Sequence, residues 1–283
     1  MDDVKLIECP RDAMQGMHDF VPTDQKAVYI NQLLKCDFDT IDFGSFVSPK
    51  AIPQMKDTAD VLNLLDESRT KLLAIIANER GASDASSFQR IHYLGYPFSI
   101  SEEFQQRNTN ATIEQSLGRV EAIADIAANN NKEVVLYLSM GFGNPYGEHY
   151  HPDIVSMWSE RLYNLFGVKI LALSDTIGAA TPELVNDVFT SIIHELPAVE
   201  FGAHLHTTTD NAESLIKASY NAGCRRFDGA IKGYGGCPMA KNELTGNMPT
   251  EKMIQWFEQN GIETGLNQRE FQIAMRESSK IFK

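Results

Sequence analysis

Residues 169–206 read KILALSDTIGAATPELVNDVFTSIIHELPAVEFGAHLH. Lys169–Ser174 is a short, mostly apolar run of the length that buries as one strand. Thr181-Pro182-Glu183 then supplies a cap, a first-turn proline and an acid, the usual start of a helix. Leu184, Val185, Val188, Phe189, Ile192 and Ile193 follow at a spacing that covers one helical face, and Pro197 stops the chain. Phe201–His206 is a second apolar run. Strand, helix, strand at this spacing is a crossover unit, which places two parallel strands side by side.

The same alternation extends outward in both directions. Further strands are expected near Val4–Glu8, Thr40–Gly44, Lys71–Ala77, Ile91–Gly95, Glu133–Ser139 and Arg226–Ile231. Helices are expected over Glu114–Asn129, from Pro152 to a stop at Gly167, and over Ala212–Asn221. Eight strands alternating with helices predict a (β/α)8 TIM barrel, with residues 1–283 as a single domain. Residues 265–283 form a C-terminal extension, helical over Asn267–Phe282, packed outside or across the barrel. A doubly wound sheet would want a glycine-rich turn after its first strand, and Cys9-Pro10-Arg11-Asp12 is not one.

The chain of 283 residues carries 25 basic and 38 acidic side chains, a net charge of −13. That balance argues against a nucleic-acid partner or a polybasic membrane contact, because both call for a cationic surface. No apolar run approaches the length of a membrane span. The N-terminus shows no secretory or transit pattern, and Cys9, Cys36, Cys224 and Cys237 lack the spacing of a disulfide framework. A cytoplasmic location is expected.

In a barrel of this kind, chemistry gathers at the C-terminal ends of the strands. The expected ends bring Arg11 and Asp12 from the first strand, Asp42 and Ser45 from the second, and Asn78 from the third. The sixth brings Asp175 and Thr176, the seventh His204 and His206, and the eighth leads into Gly233-Tyr234-Gly235-Gly236-Cys237-Pro238. His204 and His206, two apart on a strand, face the same side and suit one divalent ion. Asp12 with a further amide oxygen makes a mixed nitrogen and oxygen set, which favours Mg2+ or Mn2+ over structural zinc. Arg11 and Asp12 are neighbours, so both reach one site only if the strand has ended and the chain is turning. Residues 233–238 read either as a plain glycine-rich connection or as a mobile loop that delivers the Cys237 thiol.

Several segments together carry a resemblance: VKLIECPRDAMQ (Val4–Gln15), SFVSPKAIPQM (Ser45–Met55), DTIG (Asp175–Gly178) and HLH (His204–His206). GGCP (Gly235–Pro238), TGNMPTE (Thr245–Glu251) and TGLN (Thr264–Asn267) continue it, in order along nearly the whole chain. The chain resembles the 3-hydroxy-3-methylglutaryl-CoA lyases, barrel metallolyases that cleave that ester to acetyl-CoA and acetoacetate in leucine degradation and ketone-body formation. The resemblance implies that Asp12, His204, His206 and Asn247 hold the divalent cation. It implies that Arg11 stabilises the thioester enolate, that Cys237 donates a proton, and that His204 serves as ligand or base. Asp42 and Asp175 join the expected catalytic set. Gln15, Ser45 and Asn267, in the matched segments, are expected to contact a CoA-thioester substrate, and a homodimer is implied.

Several positions depart from the family pattern. Cys9 and Ala13 replace glycines around Pro-Arg-Asp, Asp42 replaces a glutamate, Asn144 replaces a cysteine, and Thr207 replaces an acid. The basic residue usual after Gln15 is absent from Gly16-Met17-His18. Three other readings stay open: a condensing enzyme joining acetyl-CoA to a 2-oxo acid, a metal-dependent aldolase acting on a free hydroxy-oxo acid, and a non-catalytic barrel. Against the negative net charge, Arg11, Lys50, Lys232 and Lys241 are expected to gather positive charge at the mouth.

Overall fold

The computed structural model describes residues 4–236 and 245–282, and its parallel strands close on themselves. They are β1 (Lys5–Glu8), β2 (Thr40–Ser45), β3 (Lys71–Ile75), β4 (Ile91–Ser99), β5 (Glu133–Ser139), β6 (Ile170–Asp175), β7 (Glu200–Thr207) and β8 (Arg226–Gly229). Each pairs in parallel with the next, and β8 pairs with β1 through Lys5↔Arg226 and Ile7↔Asp228, which completes the barrel. A two-residue strand, β9 (Gly246–Asn247), adds to β7 antiparallel at its C-terminal end, setting Asn247 against His206. The helices are α1 (Pro10–Gln15), α2 (Thr23–Leu34), α3 (Thr58–Asn63), α4 (Glu79–Ser86), α5 (Glu102–Thr109) and α6 (Ile113–Asn129). There follow α7 (Pro152–Phe166), α8 (Pro182–Glu195), α9 (Ala212–Asn221), α10 (Thr250–Gln259) and α11 (Gln268–Ile281).

The expected elements form where the local chemistry asks for them. Thr181 caps α8 by accepting from the Leu184 N–H, Asn78 caps α4 by accepting from the Gly81 N–H, and Gly167 ends α7 in the left-handed region at φ +64°. Strand β4 runs to Ser99, four residues past its expected end, because Pro97 and Phe98 keep pairing with Tyr137 and Leu138. The C-terminal helix α11 packs outside the barrel against α2, with Phe271 edge-on to Phe38 and Phe282 edge-on to Tyr29.

Two apolar layers result, as the two faces of a buried parallel sheet require. Alternate strand residues such as Leu136, Leu138, Leu171, Leu173, Ala203 and Leu205 pack outward under the helices. The opposite set, Leu73, Ile75, Tyr93, Val135, Tyr137, Ile170 and Ala172, fills the lumen. Asp42 and Ser45 lie three apart, which on a regular strand would aim them at opposite faces. A bulge between Asp42 and Gly44 corrects the phase, pairing Asp42 with Leu73 and Ser45 with Ile75, so both take the lumen side.

Candidate active site

Strand β1 ends at Glu8, and Pro10 opens α1 immediately. That turn is what the adjacency of Arg11 and Asp12 demanded. On α1, Gln15 stands one turn beyond both, and the three side chains interlock. Arg11 Nη1 donates to Asp12 Oδ1 and to Gln15 Oε1, each at 2.8 Å, and Gln15 Nε2 donates to Asp12 Oδ1 at 2.7 Å. From β2, Asp42 accepts from Arg11 Nε at 3.0 Å and also from Nη2, a two-pronged clamp. Arg11 and Asp42 are both buried. Burial pushes the Asp42 carboxyl up to about 6, even though the guanidinium beside it pulls the other way.

Asp12, His204 and His206 bring one ligand atom each to within 4.8 Å of one another. Both imidazoles are oriented by a second bond. His204 Nδ1 meets Asp228 Oδ2 at 3.1 Å, and His206 Nδ1 meets the Thr176 carbonyl oxygen at 3.1 Å. A carbonyl only accepts, so His206 carries its proton on Nδ1. Its Nε2 is buried with no hydrogen-bond partner among the described residues. Burial and the neighbouring His204 push His206 down to about 4, so it is a neutral imidazole with a free lone pair near pH 7. Burial alone would raise the Asp12 carboxyl, but Arg11, both histidines and the Asn247 amide outweigh it and hold it at about 2.

Asn247 completes the set. Its Nδ2 donates to Asp12 Oδ2 and to the Tyr234 carbonyl, both at 2.8 Å, so the amide oxygen is the atom it has to offer a cation. One carboxylate, two imidazole nitrogens and one amide oxygen suit a divalent cation that accepts oxygen and nitrogen together. The free Nε2 of His206 is the atom that such an ion would satisfy.

Beside this cluster lies a cavity of about 420 Å³. Val47, Ile52, Ile75 and Phe104 give it an apolar wall, and Ser139, Ser174 and Thr176 also line it. Arg11, Gln15 and Gly236 also border it. The glycines before Cys237 have a packing task. A side chain at Gly235, whose φ is +85°, would stand 2.8 Å from the Asp12 oxygen and the Ala13 Cα, so only glycine lets this segment lie flat on α1. Cys237 and Lys241 lie outside the described residues.

Four expected site residues take other tasks. Asp175 follows Leu171 and Leu173 on the helix-facing side of β6, and its carboxylate accepts from the Ala179 and Ala180 N–H groups at 2.9 and 2.8 Å. It holds the β6–α8 turn and does not border the cavity. Asn267 stands at the opposite end of the barrel, because its N–H donates to the Cys36 carbonyl ahead of β2 while its side chain caps α11. Ser45 faces the lumen, but its hydroxyl accepts from the Val47 N–H and shapes the turn behind the wall. Asp42 bonds Arg11, which itself borders the cavity.

The departures from the family pattern sort similarly. Cys9 is buried, and Asn144 pins its own loop by accepting from the Tyr146 and Glu148 N–H groups. Thr207 pairs with Gly246 in the short antiparallel ladder. Lys50 is exposed beside the cavity-lining Ala51, whereas Lys232 is bonded to Ser279 of α11 and does not join a patch at the mouth. Sequence reasoning missed Asp228 and Tyr137. Both are polar residues on buried strands at lumen-facing phase, and that was the available signal.

Known proteins are similar to this chain over nearly its whole length. The profile of the HMGL-like family matches residues 4–276. The cytoplasmic 3-hydroxy-3-methylglutaryl-CoA lyase of Rattus norvegicus is 34% identical over 268 residues, covering 93% of this chain and 77% of that protein. The hydroxymethylglutaryl-CoA lyase of Bacillus subtilis is 33% identical, covering 91% of this chain and 85% of its own. Among solved structures, the HMG-CoA lyase of Brucella melitensis superposes with a TM-score of 0.92 at 30% identity, covering 99% of each chain. An Acinetobacter baumannii HMG-CoA lyase, solved in complex with coenzyme A and 3-methylmalate, superposes at 0.88 with 30% identity, covering 97% of this chain and 89% of its own. With its barrel closed and its strand ends furnished in this way, the chain belongs to the HMGL-like family.

Proposed function

We propose that this protein is a divalent-cation-dependent carbon–carbon lyase that cleaves 3-hydroxy-3-methylglutaryl-CoA to acetyl-CoA and acetoacetate. The observation that carries this reading is the convergence of Asp12, His204, His206 and Asn247 beside Arg11 at the mouth of a cavity. Relatives named for this activity, similar over nearly the whole chain, support it. Asp12, His204, His206 and Asn247 would hold Mg2+ or Mn2+, which supplies Lewis acidity toward the tertiary hydroxyl of the ester.

The chain's own residues then divide the retro-Claisen cleavage. His204 serves as a ligand through Nε2, or as the base that takes the proton of that hydroxyl when Nε2 is not on the ion. As the bond between C2 and C3 breaks, negative charge moves onto the thioester oxygen. Arg11, held rigid by Asp42, Asp12 and Gln15, offers a fixed donor to that charge. Cys237 returns a proton to the enolate carbon, giving acetyl-CoA. The apolar wall of Val47, Ile52, Ile75 and Phe104 keeps water from the acyl group. A homodimer in the cytoplasm is the accompanying proposal for assembly and location.

The test is direct. Purified protein with Mg2+ or Mn2+, a thiol and 3-hydroxy-3-methylglutaryl-CoA is expected to release acetoacetate. If folded, metal-loaded protein releases none, the proposed reaction is wrong.

A further inference from the structure

Beneath the cation ligands, the lumen carries a second set of charged and polar groups that the reaction described above does not use. Arg226 and Asp228 lie two apart on β8 and share its lumen face, opposite Lys5 and Ile7 of β1. Asp228 is 3% exposed. Its Oδ2 meets His204 Nδ1 at 3.1 Å, while its Oδ1 is buried with no hydrogen-bond partner among the described residues. Arg226 is 1% exposed and donates through Nη1 to Glu200 at 3.2 Å, and its Nε and Nη2 are buried and likewise unpartnered. The Tyr137 hydroxyl is a fourth such atom, and the Tyr137 ring stands edge-on to His204 with centroids 5.2 Å apart. From the base of the lumen upward, the order is Arg226, Asp228, His204, then the cation ligands.

A carboxylate this deep is costly unless a positive group shares its surroundings. Arg226, one strand pleat below, is that group. A carboxyl oxygen accepting at Nδ1 favours the imidazole with its proton on Nδ1 and leaves the Nε2 lone pair on the side of Asp12. Tyr137 packs against the ring's flank and limits its rotation.

Cys9 offers a different use for the same atoms, since Cys9, His204 and Asp228 also bring ligand atoms within 4.8 Å of one another. A second cation there would take His204 through Nδ1 while the first takes it through Nε2. The ring would then have to give up its last N–H proton, so the geometry favours orientation over a second ion.

We propose that Asp228 is a positioning residue of the cation centre, acting through its bond to His204 and backed by Arg226 one pleat below on the same strand. This rests on His204 being a cation ligand, as proposed above.

The test is titration of the full-length protein with Mn2+ by calorimetry, together with the imidazole N–H proton spectrum of the Mg2+-loaded form. Asp228→Asn is expected to weaken Mn2+ binding about 10- to 100-fold and to remove the downfield His204 Nδ1–H signal, with the fold retained by circular dichroism. Arg226→Gln, which leaves the Asp228 bond in place, is expected to weaken Mn2+ binding more mildly and to shift that signal without removing it. It also serves if Asp228→Asn does not fold. Unchanged Mn2+ affinity and an unchanged signal in the variant that folds would overturn the proposal. A fall from two bound Mn2+ to one in Asp228→Asn would overturn it differently, by making Asp228 a ligand. Failure of the underlying reading looks distinct: His206→Ala would then bind Mn2+ as tightly as the unmodified protein.

Discussion

Arg11 has five N–H groups, and four of them are committed to Asp42, Asp12 and Gln15. One on Nη2 is left for an incoming oxygen, and the clamp fixes where it points. Arg11→Met is expected to lower turnover about 10²- to 10³-fold, with Mn2+ affinity measured by calorimetry nearly unchanged. The same change strands Asp42, and breaking a buried pair costs about 3–5 kcal/mol. The double variant Arg11→Met with Asp42→Asn should therefore recover thermal stability but not activity. Recovery of both would show that Arg11 acts only by neutralising Asp42. For Cys237→Ser, the expected outcome is reduced acetoacetate release with metal content unaltered, and a silent variant would remove the thiol from the chemistry.

At the level of elements, Glu8 ties three pieces of chain together. It ends β1, and its carboxyl accepts from the Ile231 N–H at 2.8 Å and bonds Thr250 Oγ1 at 2.6 Å. The segments that lead into and out of the Gly235–Asn247 region are thereby pinned to the barrel. Burial pushes Glu8 up to about 8, against the Thr250 and Ile231 bonds. The folded protein therefore holds this proton more tightly than the unfolded chain does. The stabilisation is complete below the ordinary glutamate value and is lost as pH rises toward about 8. Glu8→Gln keeps both hydrogen bonds without the titration, so its stability relative to the unmodified protein should improve steadily across that window. Parallel unfolding curves at each pH check this, and a constant difference would sink it. Asn267→Ala removes the α11 cap and should cost about 1 kcal/mol. Catalysis is expected to stay intact, because that cap lies at the far end of the barrel.

Across the whole molecule, the net charge of −13 opposes the approach of a polyanionic ester. Lys50 is exposed beside the cavity-lining Ala51, Lys232 is tied to α11, and Arg11 is buried. The long-range field is thus repulsive and the attraction is local. Raising ionic strength from about 10 mM to about 100 mM shortens the reach of the repulsion to about a Debye length of 10 Å. The kcat/KM for a CoA ester is expected to rise over that range. A steady fall would mean that local cations dominate capture.

The sequence by itself determined the barrel, because strand and helix periods alternate through the chain and a parallel sheet of eight such units closes on itself. It also marked Arg11, Asp12, His204 and His206, whose phase on their strands or turn follows from spacing alone. Folding decided the rest. Asp175 and Asn267 sit in family-like segments, yet phase turns one toward a helix and chain direction carries the other to the opposite mouth. Ser45 reaches the lumen only through a bulge that no spacing announces. Asp228, Arg226 and Tyr137 matter through neighbours more than 20 residues away in sequence, such as His204, which only the closed barrel brings beside them. Periodicity is a local property of the chain, whereas a partner across the lumen is a property of closure.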